Sequence, residues 1–318
     1  MTTLTRDRDD EVRRPIARRR TTPAQFPSWD RWRNLQSAAM TAPALIVMGL
    51  FFLAPAAWAI YASFTDRSLG PTYSWIGLDN YRFIWDNPDF PRIVRNTVVF
   101  VIGSALIGQT FLGLSLALLI NHATKRGYLL SHLAYAAVLV TWIAPPAFAG
   151  SVWGEVYEFR HGLLNTALGQ IGLGRIDMLG DHPMLAVIIA DVWRGTAFAM
   201  VILLGALRTI PGQVYEAARV DGAGEWRLFT DHTLPMLRQH VAIVMIMTTL
   251  VTIGSFMLIL ILTNGSVGYQ TETLALFAWH RAFGQYEIGY GSAVSVIMLG
   301  LNLVFAAVYL KLARVEEQ

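Results

Sequence analysis

The feature that most constrains this chain is a set of apolar runs, each long enough to cross a bilayer. A helix needs about 20 predominantly apolar residues to span about 30 Å of hydrocarbon. Six segments qualify: 38–64, 96–120, 129–153, 183–207, 241–262 and 289–310. Five of the six hold no Asp, Glu, Lys or Arg, and the fourth carries only Asp191 and Arg194. Composition agrees, with 54% apolar and 15% charged residues. A soluble globule carries about 25% charged residues. The expected fold class is therefore an all-α membrane protein of six transmembrane helices.

Two absences narrow the chemistry. The sequence has no cysteine, which excludes disulfides, iron–sulfur clusters and thiol catalysis. It has two lysines, Lys125 and Lys311, and neither stands in a Gly-x-x-x-x-Gly-Lys-Ser/Thr setting. That setting supplies the backbone amides and the lysine that cradle nucleotide phosphates. If ATP drives this protein, another chain binds it.

Charge predicts the orientation. Residues 1–37 hold nine arginines, among them Arg13, Arg14, Arg18, Arg19 and Arg20. Lys125 and Arg126 lie between the second and third runs, and Arg208, Arg219, Arg227 and Arg238 between the fourth and fifth. Lys311 and Arg314 follow the sixth. With six spans all of these fall on one side. The opposite loops, 65–95, 154–182 and 263–288, hold four, two and one basic residues, which acidic residues equal or outnumber. Both termini are expected in the cytoplasm. Residues 1–37 then form an Arg-rich cytoplasmic tail, disordered over its first 25 or so residues. It ends in an interfacial helix that Ser28 could cap and that carries Trp29, Trp32 and Leu35. Residues 38–318 form the membrane domain.

Small residues such as Gly103, Gly108, Gly113, Gly150 and Gly254 suit close helix approach. Pro43 and Pro55 lie in the first run, and Pro145-Pro146 interrupts the third. Such interruptions mark kinks or cavities.

The segment 208–240 is long for a loop and not loop-like in composition. Pro211 can occupy the first turn of a helix, which puts Val214, Ala217 and Ala218 at helical spacing on one face. Asp221-Gly222 reads as a turn, with Gly222 free to take positive φ. A second amphipathic turn follows with Trp226, Leu228 and Phe229, and Leu234-Pro235 is expected to end it before the fifth span. Two short helices with an exposed apolar face predict a docking partner.

Glu216-Ala217-Ala218, Asp221-Gly222-Ala223, Phe229 and Leu234-Pro235 together resemble the EAA loop of ABC importer permeases. The form EAA-x-x-DGA is similar to the branch that imports oligosaccharides and glycerol phosphates. The likeness extends over most of the chain beyond residue 38. It includes Gly77-Leu78-Asp79-Asn80-Tyr81, Arg95-Asn96-Thr97, Gly162-Leu163-Leu164-Asn165, Asp191-Val192-Trp193, Asn264-Gly265, Thr271-Glu272-Thr273-Leu274 and Gly291-Ser292-Ala293-Val294-Ser295. His232, Gln239, Ala197 and Ser266-Val267 depart from the family pattern.

The resemblance implies a type I ABC importer permease fold. It implies a pore shared with a second permease subunit, an ATPase dimer that carries the ATP and Mg, and an extracytoplasmic binding protein that delivers a saccharide. No nucleic acid is implied, and no cofactor on this chain. The location would be the bacterial inner membrane. The ATPase-coupling residues would be Glu216, Ala217, Ala218, Asp221, Gly222, Ala223, Trp226, Phe229, Leu234 and Pro235.

Substrate-pathway candidates follow from the cost of polar groups in a membrane. Asp191 and Arg194, three apart, can pair with each other and either line the path or lie neutralised at a subunit interface. Trp142, Trp153, Trp193 and Phe198 can stack on sugar rings, while Gln109, Thr252, Ser255 and Asn302 can meet hydroxyls. Nearly neutral external loops favour a neutral saccharide over a glycerol phosphate or glycerophosphodiester. An ion-coupled transporter would need more embedded titratable groups than Asp191 and Arg194. An intramembrane enzyme would need motifs, such as His-Glu-x-x-His or Gly-x-Ser-x-Gly, that the sequence lacks.

Overall fold

The computed structural model describes residues 40–265 and 267–315. The expected tail and interfacial helix within 1–37 lie outside the described residues. The chain divides into two compact units, 1–55 and 56–318.

Among the described residues five helices are long and apolar enough to cross a membrane, and a bent pair makes a sixth crossing if it counts as one span. These are α1 (Met40–Ala62), α3 (Phe90–Lys125), α8 (Pro183–Thr209), α10 (Glu225–Ile253) and α13 (Ile288–Val315), with the pair α4 (Leu130–Ile143) and α5 (Pro146–Tyr157). Shorter helices join them: α2 (Asp79–Trp85), α6 (Leu163–Gln170), α7 (Met178–Asp181), α9 (Gly212–Val220), α11 (Met257–Thr263) and α12 (Leu274–Trp279). Among the described residues the one strand-like pairing is a bridge between Thr65 and Trp75. The all-α expectation holds.

Three spans differ most from their expected bounds. The third turns through 108° between α4 and α5. Ala144 before the prolines is extended, at φ −60° and ψ 125°, because a following proline ring disfavours the helical region. Pro146 then opens α5, where a missing N–H costs nothing. The fifth span does not run to Leu262: α10 stops at Ile253, and Gly254, Ser255 and Phe256 separate it from α11. The second is longer than its apolar run. Its 36 residues extend about 54 Å at about 1.5 Å per residue, so α3 projects beyond the hydrocarbon.

Leu234-Pro235 does not end the helix before the fifth span, contrary to the sequence reading. Residues Leu228–Thr233 form a π-turn, and the Leu234 N–H bonds to the Phe229 carbonyl five residues back. The same device recurs in α1, where a π-turn at Gly49–Leu53 directs the Ala54 N–H to Gly49 and Pro55 follows. A proline ring clashes with the carbonyl four residues earlier in a regular α-helix. The widened turn absorbs the ring and the helix continues.

In the larger unit α8 is the hub. A Cβ on Gly103, Gly108 or Gly113 of α3 would overlap Ile188, Val192 or Ala199 of α8 respectively. Residues five apart diverge by about 140° on an α-helix. The π-turn at Ile102–Gln109 brings Gly103 and Gly108 toward one face. A Cβ on Gly150 of α5 would stand 3.0 Å from Ile261 of α11. Buried Leu203, Leu207, Ile210, Leu237 and Val244 fill the end nearest the 208–240 loop. Buried Ala149, Ala186, Ala190, Leu258, Ile259 and Leu276 fill the opposite, far end.

The far-end loops are fastened by buried polar side chains. Asn80 donates to the Ser63 and Thr65 carbonyls at 2.9 and 2.8 Å. Asn96 donates to the Tyr269 and Glu272 carbonyls, and the Leu274 N–H donates to Thr97. Asn165 exchanges two hydrogen bonds with the Ile176 backbone.

Candidate functional site

At the loop end, α9 leaves Pro211, which stands just before the helix at φ −62° and ψ 137° rather than inside its first turn. Successive helix residues turn about 100°, so Gln213, Glu216, Ala217 and Val220 form one exposed ridge. Val220 is 88% exposed. Ala218 points the opposite way and is buried, so Ala217 and Ala218 do not share a face as the sequence reading had them. The helix ends at Asp221, whose N–H bonds to the Ala217 carbonyl. Gly222 turns the chain at φ +84°, where a Cβ would be strained although space is open. The Ala223 N–H closes the turn on the Ala218 carbonyl.

The chain then enters α10 through Trp226, 75% exposed, whose ring tilts against Phe229 at 6.0 Å. Leu234 and Pro235 are exposed beyond them. The exposed coupling candidates Glu216, Ala217, Asp221, Gly222, Trp226, Leu234 and Pro235 thus lie on α9, the turn after it and the start of α10. Behind the ridge a cleft of about 650 Å³ separates this layer from the end of α3, lined in part by His122, Lys125, Tyr215, Glu216 and Phe229.

Within the membrane domain the charged pair is present and occupied. Asp191 on α8 is fully buried. Arg194 reaches its Oδ1 at 3.4 Å, and Gln109 of α3 donates to its Oδ2 at 2.9 Å. A Cβ at residue 195 would collide with the Gln109 amide, so Gly195 makes room for this contact. Gln109, Asp191 and Arg194 form a clamp between two helices, with Asp191 closed off from any surface. The aromatic candidates form two pairs: Trp153 and Trp193 meet edge-on at 6.0 Å, and Trp142 and Phe198 tilt together at 5.8 Å. The Trp153 Nε1 and Arg194 Nε are buried without a hydrogen-bond partner among the described residues, as is the Asn302 Oδ1. Ser255 sits half-buried in the break between α10 and α11, one turn past buried Thr252, and accepts no bond from the clamp.

Two features of the far end carry no local signal in the sequence. One is a buried ionisable contact at the far end. Glu272 is 2% exposed, bonds His280 Nδ1 at 2.8 Å and lies against Gly265, while His280 Nε2 meets Asn264 Oδ1 at 3.2 Å. Burial pushes the Glu272 carboxyl above the ordinary range, and the His280 bond opposes that shift in part. Thr271-Glu272-Thr273-Leu274 was visible as a motif, but its partner His280 lies eight residues on. The other is a crevice of about 460 Å³ at the start of α8, lined by Arg92, Arg95, Asp181, His182 and Gln270. Arg92 and Arg95 lie on α3 and His182 just before α8, far apart in sequence, so no local charge run announces it.

The description "binding-protein-dependent transport system inner membrane component" matches residues 32–315. The sulfoquinovosyl glycerol transport system permease protein SmoG of Agrobacterium fabrum is 32% identical over 301 residues, covering 92% of this chain and 96% of the relative. The trehalose/maltose transport system permease protein MalF of Thermococcus litoralis is 34% identical over 279 residues, covering 86% and 92%. A chain of a bacterial alginate ABC transporter, solved with an alginate pentasaccharide-bound periplasmic protein, superposes with a TM-score of 0.76. It is 21% identical and covers 88% of this chain and 94% of its own length. At that identity the likeness establishes the fold.

Proposed function

Because this chain belongs to the family of binding-protein-dependent transport system inner membrane components, a multi-pass sugar ABC importer permease family whose subunits are not themselves enzymes, we propose the following role. The chain forms, with a second permease subunit, the path for a di- or oligosaccharide handed over by an extracytoplasmic binding protein. An ATPase dimer carrying ATP and Mg engages the ridge Gln213, Glu216, Ala217 and Val220 together with the Gly222 turn and Trp226. The single observation that carries this reading is that ridge: a helix face on which Ala217 and Val220 stand exposed beside Gln213 and Glu216 at the end of a membrane bundle. The arginine bias of residues 1–37 and 208–240 supports a cytoplasmic position for this end.

A saccharide is favoured by the names of the relatives and by the paired aromatic rings on α4, α5 and α8. Flat aromatic faces suit the C–H faces of sugar rings. A glycerol phosphate or glycerophosphodiester is the second reading, and the Arg92, Arg95 and His182 crevice is the observation that favours it.

The test is co-expression with the neighbouring permease, ATPase and binding-protein genes, followed by ATP hydrolysis in the presence of loaded binding protein. The expected result is a stable complex stimulated by one saccharide, with Ala217→Arg and Gly222→Asp losing the ATPase while still reaching the membrane. Stimulation by a glycerophosphodiester alone would select the second reading. Normal coupling in both variants would overturn the docking assignment.

A further inference from the structure

The coupling helix is tied to the fifth span through its inward face. Tyr215, next to Glu216, points away from the exposed ridge and is half-buried. Its hydroxyl lies 3.2 Å from the Oγ1 of buried Thr233. Thr233 Oγ1 in turn donates to the Leu228 carbonyl at 3.0 Å. A threonine hydroxyl has one hydrogen. With that hydrogen committed to Leu228, the Tyr215 O–H is the donor and Thr233 the acceptor. Leu228 and Thr233 are the first and last residues of the π-turn in α10. The bond therefore lands where the helix is already widened and its backbone bonding is irregular, ahead of Pro235. From the other side the Lys125 ammonium, at the end of α3, stands 5.3 Å from the centre of the Tyr215 ring, within cation–π range. One side chain thus links α9, the deformable turn of α10 and the end of α3.

We propose that Tyr215 is a positioning residue for coupling. It latches α9 to the π-turn, so that displacement of the ridge moves α10 as one body instead of being lost in the turn. A regular α-helix entering the span would transmit motion along its own backbone. A π-turn two residues ahead of a proline is a weak place in that backbone. The Tyr215–Thr233 bond joins α9 to the last residue of that turn and so bypasses it.

The inference rests on the reading that this loop engages an ATPase, and its test separates the two. The complete importer is reconstituted with its partner permease and ATPase, and saccharide imported per ATP hydrolysed is measured with co-elution of the subunits. For Tyr215→Phe and for Thr233→Val the subunits remain together and hydrolysis continues. Import per ATP falls about three- to tenfold, the range one neutral hydrogen bond supplies. The double variant is no worse than either single one, and Thr233→Ser restores the wild-type ratio. Unchanged import per ATP in Tyr215→Phe overturns the latch. Loss of co-elution in Tyr215→Phe overturns it too, since the bond would then be serving assembly. A wild-type chain that does not co-elute with the ATPase refutes the coupling reading itself.

Discussion

Gln109→Leu is the most informative single change within the membrane domain. The two side chains are close in volume, so the substitution removes polarity without opening a large cavity. The Gln109 amide makes the shorter of the two contacts to Asp191, 2.9 Å to Oδ2 against 3.4 Å from Arg194 to Oδ1. The latter exceeds the usual 2.7–2.9 Å of a charge-assisted bond. With leucine present, Oδ2 of a fully buried carboxylate loses its donor. Interhelical hydrogen bonds between neutral groups in membranes average about 0.6 kcal/mol. Bonds to charged groups are worth about 1.5–3 kcal/mol. The buried carboxylate places this case in the second class, with an expected loss of about 2 kcal/mol. At about 2–4 °C per kcal/mol, Tm falls by roughly 4–8 °C. The assay is thermal unfolding of the purified chain in detergent. In an Asp191→Asn background the same change costs only the neutral value of about 0.6 kcal/mol, so the cycle reports a coupling near 1.4 kcal/mol. A Gln109→Leu protein melting within a degree of wild type, or an equal loss in both backgrounds, refutes the clamp.

Other outcomes follow from the same geometry. Gly108→Leu drives a side chain into Val192 and costs about 1–3 kcal/mol through overpacking; a rise in Tm would show that α3 and α8 do not meet there. Asn80→Leu abandons the Ser63 and Thr65 carbonyls at about 1–3 kcal/mol, read as faster proteolysis of the 66–76 loop. The pH dependence of the far-end loop is fixed in sign by Glu272. Its raised value means the folded loop holds the proton more tightly than the opened loop. This contribution is present at acid pH and is lost as pH rises from the ordinary glutamate range through the raised value. Amide exchange at residues 264–274, corrected for its intrinsic rate, accelerates over that window in wild type and stays flat in Glu272→Gln.

The six apolar runs and the 208–240 loop were legible because hydrocarbon thickness and helix-turn chemistry act locally. Gly222 illustrates this: an Asp-Gly pair requires a turn, and φ is +84°. The external motifs were legible as strings but not as contacts. Asn96-Thr97 and Glu272-Leu274 hold one another across more than 170 residues, and Asn80 and Asn165 fasten backbone that no local pattern indicates. The break in the fifth span is not legible because apolarity continues across Gly254 into α11, and hydropathy does not register a broken backbone. Pro145-Pro146 announced an interruption, while the 108° angle comes with the packing of Gly150 on Ile261. Pro235 misled as a stop because the preceding π-turn, which lets the helix continue, has no residue signature. Tyr215 escaped notice for the related reason that its partner lies across the turn.

The central claim is that this chain moves a saccharide only when a partner hydrolyses ATP. Its most direct test is uptake of labelled saccharide into proteoliposomes holding the full complex, with loaded binding protein on one face and ATP on the other. The account predicts uptake that requires ATP and is lost in Ala217→Arg. Uptake by the chain alone under an ion gradient, without ATP, would contradict it and would make Asp191 the residue that carries the coupling.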